Sequence, residues 1–232
     1  MKFTYMSIVA VMFVVIAVAV AGCTSTSPST SNAAQASGAP SSGTTSSGAA
    51  SSSTPQVGST AAASSIFSTS YNWMEYQTSG TYNGKQETMD MKYQRSTGTY
   101  QGSPAVHVEV TMTSSSNGGI NGVIDYYWDT AMDKLLGGTM TMTVNGRTMT
   151  ISIPAEELTQ AQATNFHTGT LTFAGVEPVT VPAGTYPIAS KYTETTNGVD
   201  VTFWSAPGVP VPVKMASSSS SGSSTSELVG YG

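Results

Sequence analysis

Apolar and polar side chains alternate along much of the chain after residue 66. Apolar residues occupy every second position of 89–93, 106–112, 140–144 and 149–153. A period of two is typical of strands that bury one face and expose the other. The pattern therefore predicts a sheet with a single apolar face.

Turn signals separate these runs. Asn-Gly pairs occur at 83–84, 145–146 and 197–198, and each pair supplies the positive φ angles that a two-residue hairpin turn requires. Alternation and turn chemistry also predict strands at 123–128, 170–173, 177–181, 186–195, 199–205, 211–215 and 227–231. We therefore expect about 11–12 antiparallel strands in meander order.

The only predicted helix runs from Pro154 to Ala163. Proline is favoured in a first helical turn, and Glu156 and Glu157 would lie near the positive end of the helix dipole. Further on, Pro207, Pro210 and Pro212 remove backbone donors, so this segment is expected to form an edge or an irregular entry to a strand. The polar run Ser217–Ser226 is predicted to be a long hairpin loop.

The N-terminus has the layout of an export signal. One charge, on Lys2, precedes an apolar run from Ile8 to Val20, which is shorter than the roughly 20 residues that usually span a membrane. The string 20–23, Val-Ala-Gly-Cys, resembles the lipobox of bacterial and archaeal lipoproteins. This resemblance implies a signal peptide at 1–22 and lipidation of Cys23; an uncleaved signal anchor is the alternative.

Cys23 is the single cysteine of the chain, which excludes an internal disulfide framework and a thiolate zinc site. After it, 24–65 consists almost entirely of Ser, Thr, Gly, Ala and Pro, with no charged or aromatic residue. Such a composition predicts that 23–65 is a disordered linker, reaching about 35 Å from the membrane on average. The remaining residues, 66–232, are predicted to form one domain, extracytoplasmic and anchored to the cell membrane.

Strings in the C-terminal part carry a family resemblance. The segments 179–186 (VTVPAGTY), 204–214 (WSAPGVPVPVK) and 227–229 (ELV) are similar to those of secreted lipoproteins with a lipoprotein-carrier (LolA/LolB-like) domain. The resemblance implies a mainly β fold, an open half-barrel curled around a helix. Its concave apolar face would accept a lipid or acyl chain, and the anchor favours a fixed binder over a shuttling carrier.

Methionine is the unusual residue type of the predicted domain. We predict an adaptable apolar groove, because thioether side chains repack around varied ligands. The alternative is that the methionines fill the hydrophobic core, where this residue type commonly fills gaps. A Cu(I) site made of thioethers lacks a dense Met or His cluster. The candidate ligand-binding residues are Met89, Met91, Met140, Met142 and Met149.

No catalytic or metal constellation can be assembled from the sequence. His107 has Glu109 as its nearest partner along the same strand face, and His107 and His167 are both interpreted as structural or surface residues. The acidic segment 129–133 lacks the glycine and terminal glutamate of a calcium loop. We therefore predict no enzyme activity, no metal and no cofactor, with a hydrolase as the least favoured possibility.

Charge excludes one class of partner. The formal net charge is −5, and 9% of residues are charged, so the chain has no basic footprint for nucleic acid. Its expected function is binding of a hydrophobic or lipid-like ligand at the cell envelope. The alternative is a structural module that contacts another envelope protein, for example by strand addition at 211–215.

Overall fold

The structure is a computed structural model, and it describes residues 56–62, 71–82, 85–115, 121–131, 134–144, 146–154, 170–196 and 198–232. Cys23, His167 and the predicted helix after Pro154 lie outside these ranges, as do the predicted signal peptide and most of the predicted linker. Within the described ranges, no helix is long and apolar enough to cross a membrane.

All regular structure in the described ranges is β. The strands are β1 (Thr60–Ala62), β2 (Trp73–Tyr82), β3 (Lys85–Tyr100), β4 (Ser103–Ser114), β5 (Asn121–Trp128), β6 (Leu135–Val144), β7 (Arg147–Pro154), β8 (Thr170–Val181), β9 (Gly184–Thr196), β10 (Val199–Ser205), β11 (Lys214–Ser219) and β12 (Gly222–Tyr231).

The strands form one open antiparallel sheet of 12 strands, in the order β1-β8-β9-β10-β11-β12-β2-β3-β4-β5-β6-β7. The predicted fold class, a mainly β antiparallel sheet that does not close into a barrel, is confirmed. Meander order holds within β2–β7 and within β8–β12, but the two meanders join through β12 and β2. The first long strand therefore pairs with the last one.

The tight turns follow the sequence signals. Three hairpins form at the predicted Asn-Gly positions, with the flanking pairs Tyr82↔Lys85, Val144↔Arg147 and Thr196↔Val199. Residues 83, 84, 145 and 197 themselves lie outside the described ranges. The predicted strands 170–173 and 177–181 are one continuous strand, β8, with register shifts opposite β9 between Phe173 and Gly175 and between Glu177 and Val179.

One short strand lies inside the range predicted as linker. Thr60–Ala62 pairs with β8, and the Gly58 amide donates to the Phe173 carbonyl at 2.8 Å. Backbone pairing needs no large side chain, so composition alone did not reveal this strand. The first described strand thus lies within the range that composition assigned to the linker.

The prediction of a loop at Ser217–Ser226 is wrong. Its serines continue β11 and β12 up to a turn at 220–221, because their hydroxyls find partners across the sheet. Ser217 Oγ lies 2.7 Å from Ser224 Oγ, and Ser226 Oγ lies 2.8 Å from Thr78 Oγ1. Ser226 is only 2% exposed, which these hydrogen bonds make tolerable.

Of the two expectations for the proline segment, the irregular entry to a strand is confirmed, and the edge strand at 211–215 is wrong. β11 begins at Lys214 and lies between β10 and β12. The proline-containing segment before it is irregular, as expected, but Val211 and Val213 are buried. The edges of the described sheet are β1 and β7, and Pro154, where a helix was expected to start, is the last residue of β7.

The second meander curls back on itself. The Ala183 amide, in the β8–β9 turn, donates to the Leu228 carbonyl of β12 at 2.9 Å, although three strands separate β8 from β12 in the sheet. Val179 and Val181 of β8 are buried with Leu228 in the core. Because of this curl, apolar side chains of β8 and β12 are buried against each other on the inner face of the second meander.

Candidate functional site

Four methionines line up across the first meander, and three of them are candidate ligand-binding residues from the sequence. Met91, Met112, Met142 and Met149 lie in register on β3, β4, β6 and β7, with Gly122 of β5 between them. We call these five residues the methionine row. A Cβ on Gly122 would lie 2.7 Å from the Thr141 carbonyl oxygen, 3.3 Å from Met142 Cγ and 3.4 Å from Met112 Cε, so this position in the row has no space for a side chain.

A second apolar row runs beside it. Tyr93, Val110, Ile124, Met140 and Ile151 are in register on β3 to β7, and we call them the isoleucine row. Side chains two residues apart on a strand share a face, so both rows lie on the same side of the sheet. Met89 is partly buried and packs against the same core.

Exposure rises steeply toward the last strand. Along the methionine row the exposed fraction is 2% at Met91, 5% at Met142 and 52% at Met149. Along the isoleucine row it is 6% at Met140 and 40% at Ile151. Of the predicted ligand-binding residues, Met91, Met140 and Met142 are thus core residues, and Met149 lies at an accessible apolar edge.

Tyrosines on this face are held in the neutral form. Burial raises the pKa of Tyr71 to about 12, against a smaller opposing effect of the nearby Arg95. Burial also raises the pKa values of Tyr93 and Tyr126 above the ordinary tyrosine range. The Arg95 guanidinium carbon lies 5.5 Å from the centre of the Tyr71 ring, which places a cation within this aromatic part of the core.

An open pocket of about 530 Å³ lies at the turn between β11 and β12. It is lined by Thr81 and by residues 218–223, which are serines and one glycine. Such a lining offers hydroxyl groups and no apolar side chain. The serine turn is therefore unsuited to the predicted hydrophobic ligand.

On the opposite face of the sheet, His107 has a different partner from the predicted Glu109. Its Nε2 lies 2.8 Å from Asp125 Oδ1, and Thr139 Oγ1 donates to the other carboxylate oxygen at 3.4 Å. Asp125 lies on β5 directly opposite Glu109, so it is a diagonal neighbour of His107, within reach of the imidazole side chain. Only knowledge of the β4–β5 register would have revealed this pair.

Ser96 completes a serine–histidine–aspartate sequence of contacts. Its Oγ lies 3.4 Å from His107 Nδ1, which is long for a hydroxyl hydrogen bond. Ser96 is exposed on a flat strand surface, whereas a nucleophile needs a site where a substrate can be held and an oxyanion stabilised. The contacts are typical of a polar network that ties β3, β4 and β5 together.

Aromatic rings stack beside this network. The His107 and Tyr127 ring centres are 4.8 Å apart with an interplanar angle of 16°, and Tyr100 lies 5.0 Å from Tyr127 on centroids. Tyr100 reaches over β6, where a Cβ at Gly137 would collide with its hydroxyl oxygen. Gly137 also has φ 151°, so both space and backbone conformation favour glycine there.

Trp204 is the centre of a second polar network on the curled half. Its indole Nε1 donates to Glu177 Oε1 at 2.6 Å, and Lys191 Nζ lies 3.3 Å from the same oxygen. The Trp204 hydrogen bond, followed by Lys191, lowers the Glu177 pKa against a partial opposing effect of desolvation. Lys214, paired with Glu227 at 2.8 Å, lies 6.0 Å from the centre of the Trp204 ring.

The described residues contain no group of three or more His, Cys, Asp or Glu side chains placed to hold a metal ion. The acidic segment at 129–133 was interpreted as a polar hairpin connection. Consistent with this, the Asp129 amide donates to the Lys134 carbonyl at 2.9 Å, which brings the two ends of the connection together.

Two of the solved structures that match this chain illustrate how limited the similarity is. A DUF1329 family protein from Desulfovibrio piger has a TM-score of 0.34 and 9% sequence identity, covering 69% of this chain and 85% of that chain. A protein from Bacteroides fragilis, described as exported and with a YmcC-like fold, has a TM-score of 0.33 and 15% sequence identity, covering 72% of this chain and 98% of that chain. No protein-family model and no curated protein matches the chain.

Proposed function

We propose that this chain is a membrane-anchored extracytoplasmic lipoprotein without enzymatic activity, which binds a hydrophobic or lipid-like ligand beside β7. One observation carries the proposal: the methionine and isoleucine rows continue from the core to the exposed side chains of Met149 and Ile151. A ligand that packs against this edge would extend an apolar surface that is already formed.

The expected gain is modest for each side chain. Complete burial of a Met or Ile contributes about 1.5–3 kcal/mol, so covering the exposed 52% of Met149 and 40% of Ile151 would contribute about 1 kcal/mol each. Met149 has an unbranched, flexible side chain, which suits an alkyl chain of variable shape. Several such contacts would be needed for micromolar affinity.

The anchor rests on the N-terminal sequence. The short apolar run, the lipobox-like string ending at Cys23 and the uncharged spacer after it are the features that support lipidation and export. A lipid on Cys23 would hold the proposed ligand-binding edge near a membrane surface from which an acyl chain could be taken. This arrangement favours a tethered acceptor.

Dye binding tests the apolar edge. The Cys23→Ser variant carries no attached lipid that could compete with the dye. With this variant we expect saturable fluorescence of N-phenyl-1-naphthylamine. Met149→Glu should weaken binding about tenfold, because a carboxylate at the edge opposes an apolar ligand. Thr150→Glu, on the other face of the same exposed strand, is the matched control and should bind as before. Unsaturable binding, or equal loss in both variants, would contradict the proposal.

A second candidate function is contact with another envelope protein at the same strand. β7 is the last strand of the described sheet, so one row of its backbone groups is available to an added strand. A photo-reactive residue at Thr148, which is exposed, should then crosslink to a partner in intact cells. Crosslinks to copies of this chain alone would count against the envelope partner.

A further inference from the structure

The face opposite the methionine row carries aromatic rings beside hydrogen-bond acceptors. We define the outer-face cluster as Tyr100, His107, Glu109, Asp125 and Tyr127. The side chains of His107 and Asp125 are 22% and 28% exposed, and the other three residues are also partly exposed. All five lie on β3, β4 and β5, whose long ladders hold them rigidly.

Two carboxylates face each other within the cluster. Glu109 and Asp125 are directly opposite in register on β4 and β5, a position in which Cβ atoms are about 4.5–5.5 Å apart and like charges repel. Asp125 accepts hydrogen bonds from His107 and Thr139. Among the described residues, no side chain donates to Glu109. The pair therefore offers carboxylate oxygens to a ligand that is rich in donors.

The ring stack supplies a surface beside these oxygens. Tyr127 covers one face of the His107 imidazole. On its other side, the residue in register with His107 is Ser96, an exposed residue whose short side chain is too small to cover a ring. Ser96 also adds a hydroxyl 3.4 Å from His107 Nδ1. Among the described residues, no ring contact covers this second side of the imidazole, and the Ser96 hydroxyl borders it.

We propose that the outer-face cluster binds carbohydrate. A sugar ring presents several hydroxyl donors, which the two carboxylates would accept, and a C–H face that packs on an aromatic ring. The described part of the chain has no metal-ligand set, so a neutral polyol fits the cluster better than a divalent cation. The proposal concerns the face away from Met149 and Ile151, and it does not depend on a ligand at β7.

Sedimentation with insoluble polysaccharides tests this site in the full chain. Peptidoglycan sacculi, chitin, cellulose and insoluble mannan are the four probes, and at least one should retain the protein. Tyr127→Ala and Asp125→Asn should weaken retention at least tenfold. Asp90→Asn, which alters a carboxylate held by Gln77 at 3.1 Å elsewhere on β3, is the matched control and should be retained as the unmodified protein is.

If Tyr127→Ala does not fold, Glu109→Gln provides the same test, because Glu109 makes no side-chain hydrogen bond within the described ranges. This variant should also weaken retention about tenfold. Retention on none of the four polysaccharides would overturn the proposal. Equal retention of the cluster variants and of Asp90→Asn would overturn it as well.

Discussion

Two buried tyrosines allow the contribution of one hydrogen bond to be measured. Tyr76 is 2% exposed, and its hydroxyl donates to the Pro212 carbonyl at 2.6 Å. This bond links β2 to the irregular segment before β11. Tyr93 is 1% exposed, and among the described residues the only hydrogen-bond partner of its hydroxyl is the weak acceptor Met91 Sδ, at 4.0 Å. The same substitution to Phe therefore removes a strong bond at one site and a weak one at the other.

The two substitutions should differ clearly in cost. Tyr76→Phe leaves the buried Pro212 carbonyl without this donor, which should lower the free energy of unfolding by about 1–3 kcal/mol. Tyr93→Phe should lower it by about 0.5 kcal/mol or less. Each removes a single oxygen atom, so the change in packing is nearly the same. For a domain of this size, 1 kcal/mol corresponds to a change in Tm of about 2–4 °C.

Urea unfolding followed by far-UV circular dichroism measures both variants. Unchanged m values would show that the two unfolding transitions expose the same surface. The reasoning is refuted if Tyr93→Phe destabilises the protein as much as Tyr76→Phe does. It is also refuted if Tyr76→Phe costs about 0.5 kcal/mol or less, since a buried carbonyl would then have lost its partner without penalty.

Three further outcomes are expected. Glu177 has a lowered pKa because Trp204 and Lys191 donate hydrogen bonds to it. Its contribution to stability should therefore be present above pH 4.5, its ordinary pKa, and be lost as the pH falls through the lower folded value. In urea titrations from pH 3 to 7, the loss of unfolding free energy caused by Glu177→Gln should shrink at the acid end. Gly137→Ala should cost more than Gly175→Ala in thermal unfolding, since both have positive φ but only the first meets another side chain; equal costs would contradict this. Cys23→Ala should release the protein from membranes, whereas intact protein should carry lipid mass on a chain that begins at residue 23; a chain still beginning at residue 1 would exclude lipidation.

Features set by neighbouring residues could be read from the sequence. Period-two alternation predicted β3 to β7 because burial of one face imposes it on each strand separately. The Asn-Gly pairs predicted the two-residue turns because the backbone angles depend on those two residues. The same reasoning failed at Ser217–Ser226, where composition favoured a loop and cross-strand hydroxyl pairs stabilise two strands.

Features set by distant residues could not be read in this way. The sequence by itself predicted most of the strands, the Asn-Gly hairpins and the alternation that gives each of those strands one apolar side, and it is the sole basis for the expected signal peptide at 1–22. Only the tertiary structure decided that β12 pairs with β2, that β7 rather than 211–215 is an edge, and that His107 bonds to Asp125. Ser226 meets Thr78 across 148 residues, and contacts of that separation depend on how whole strands are ordered and registered. Because register places side chains on neighbouring strands together, the exposure of Met149 and the outer-face cluster emerged only from the assembled sheet.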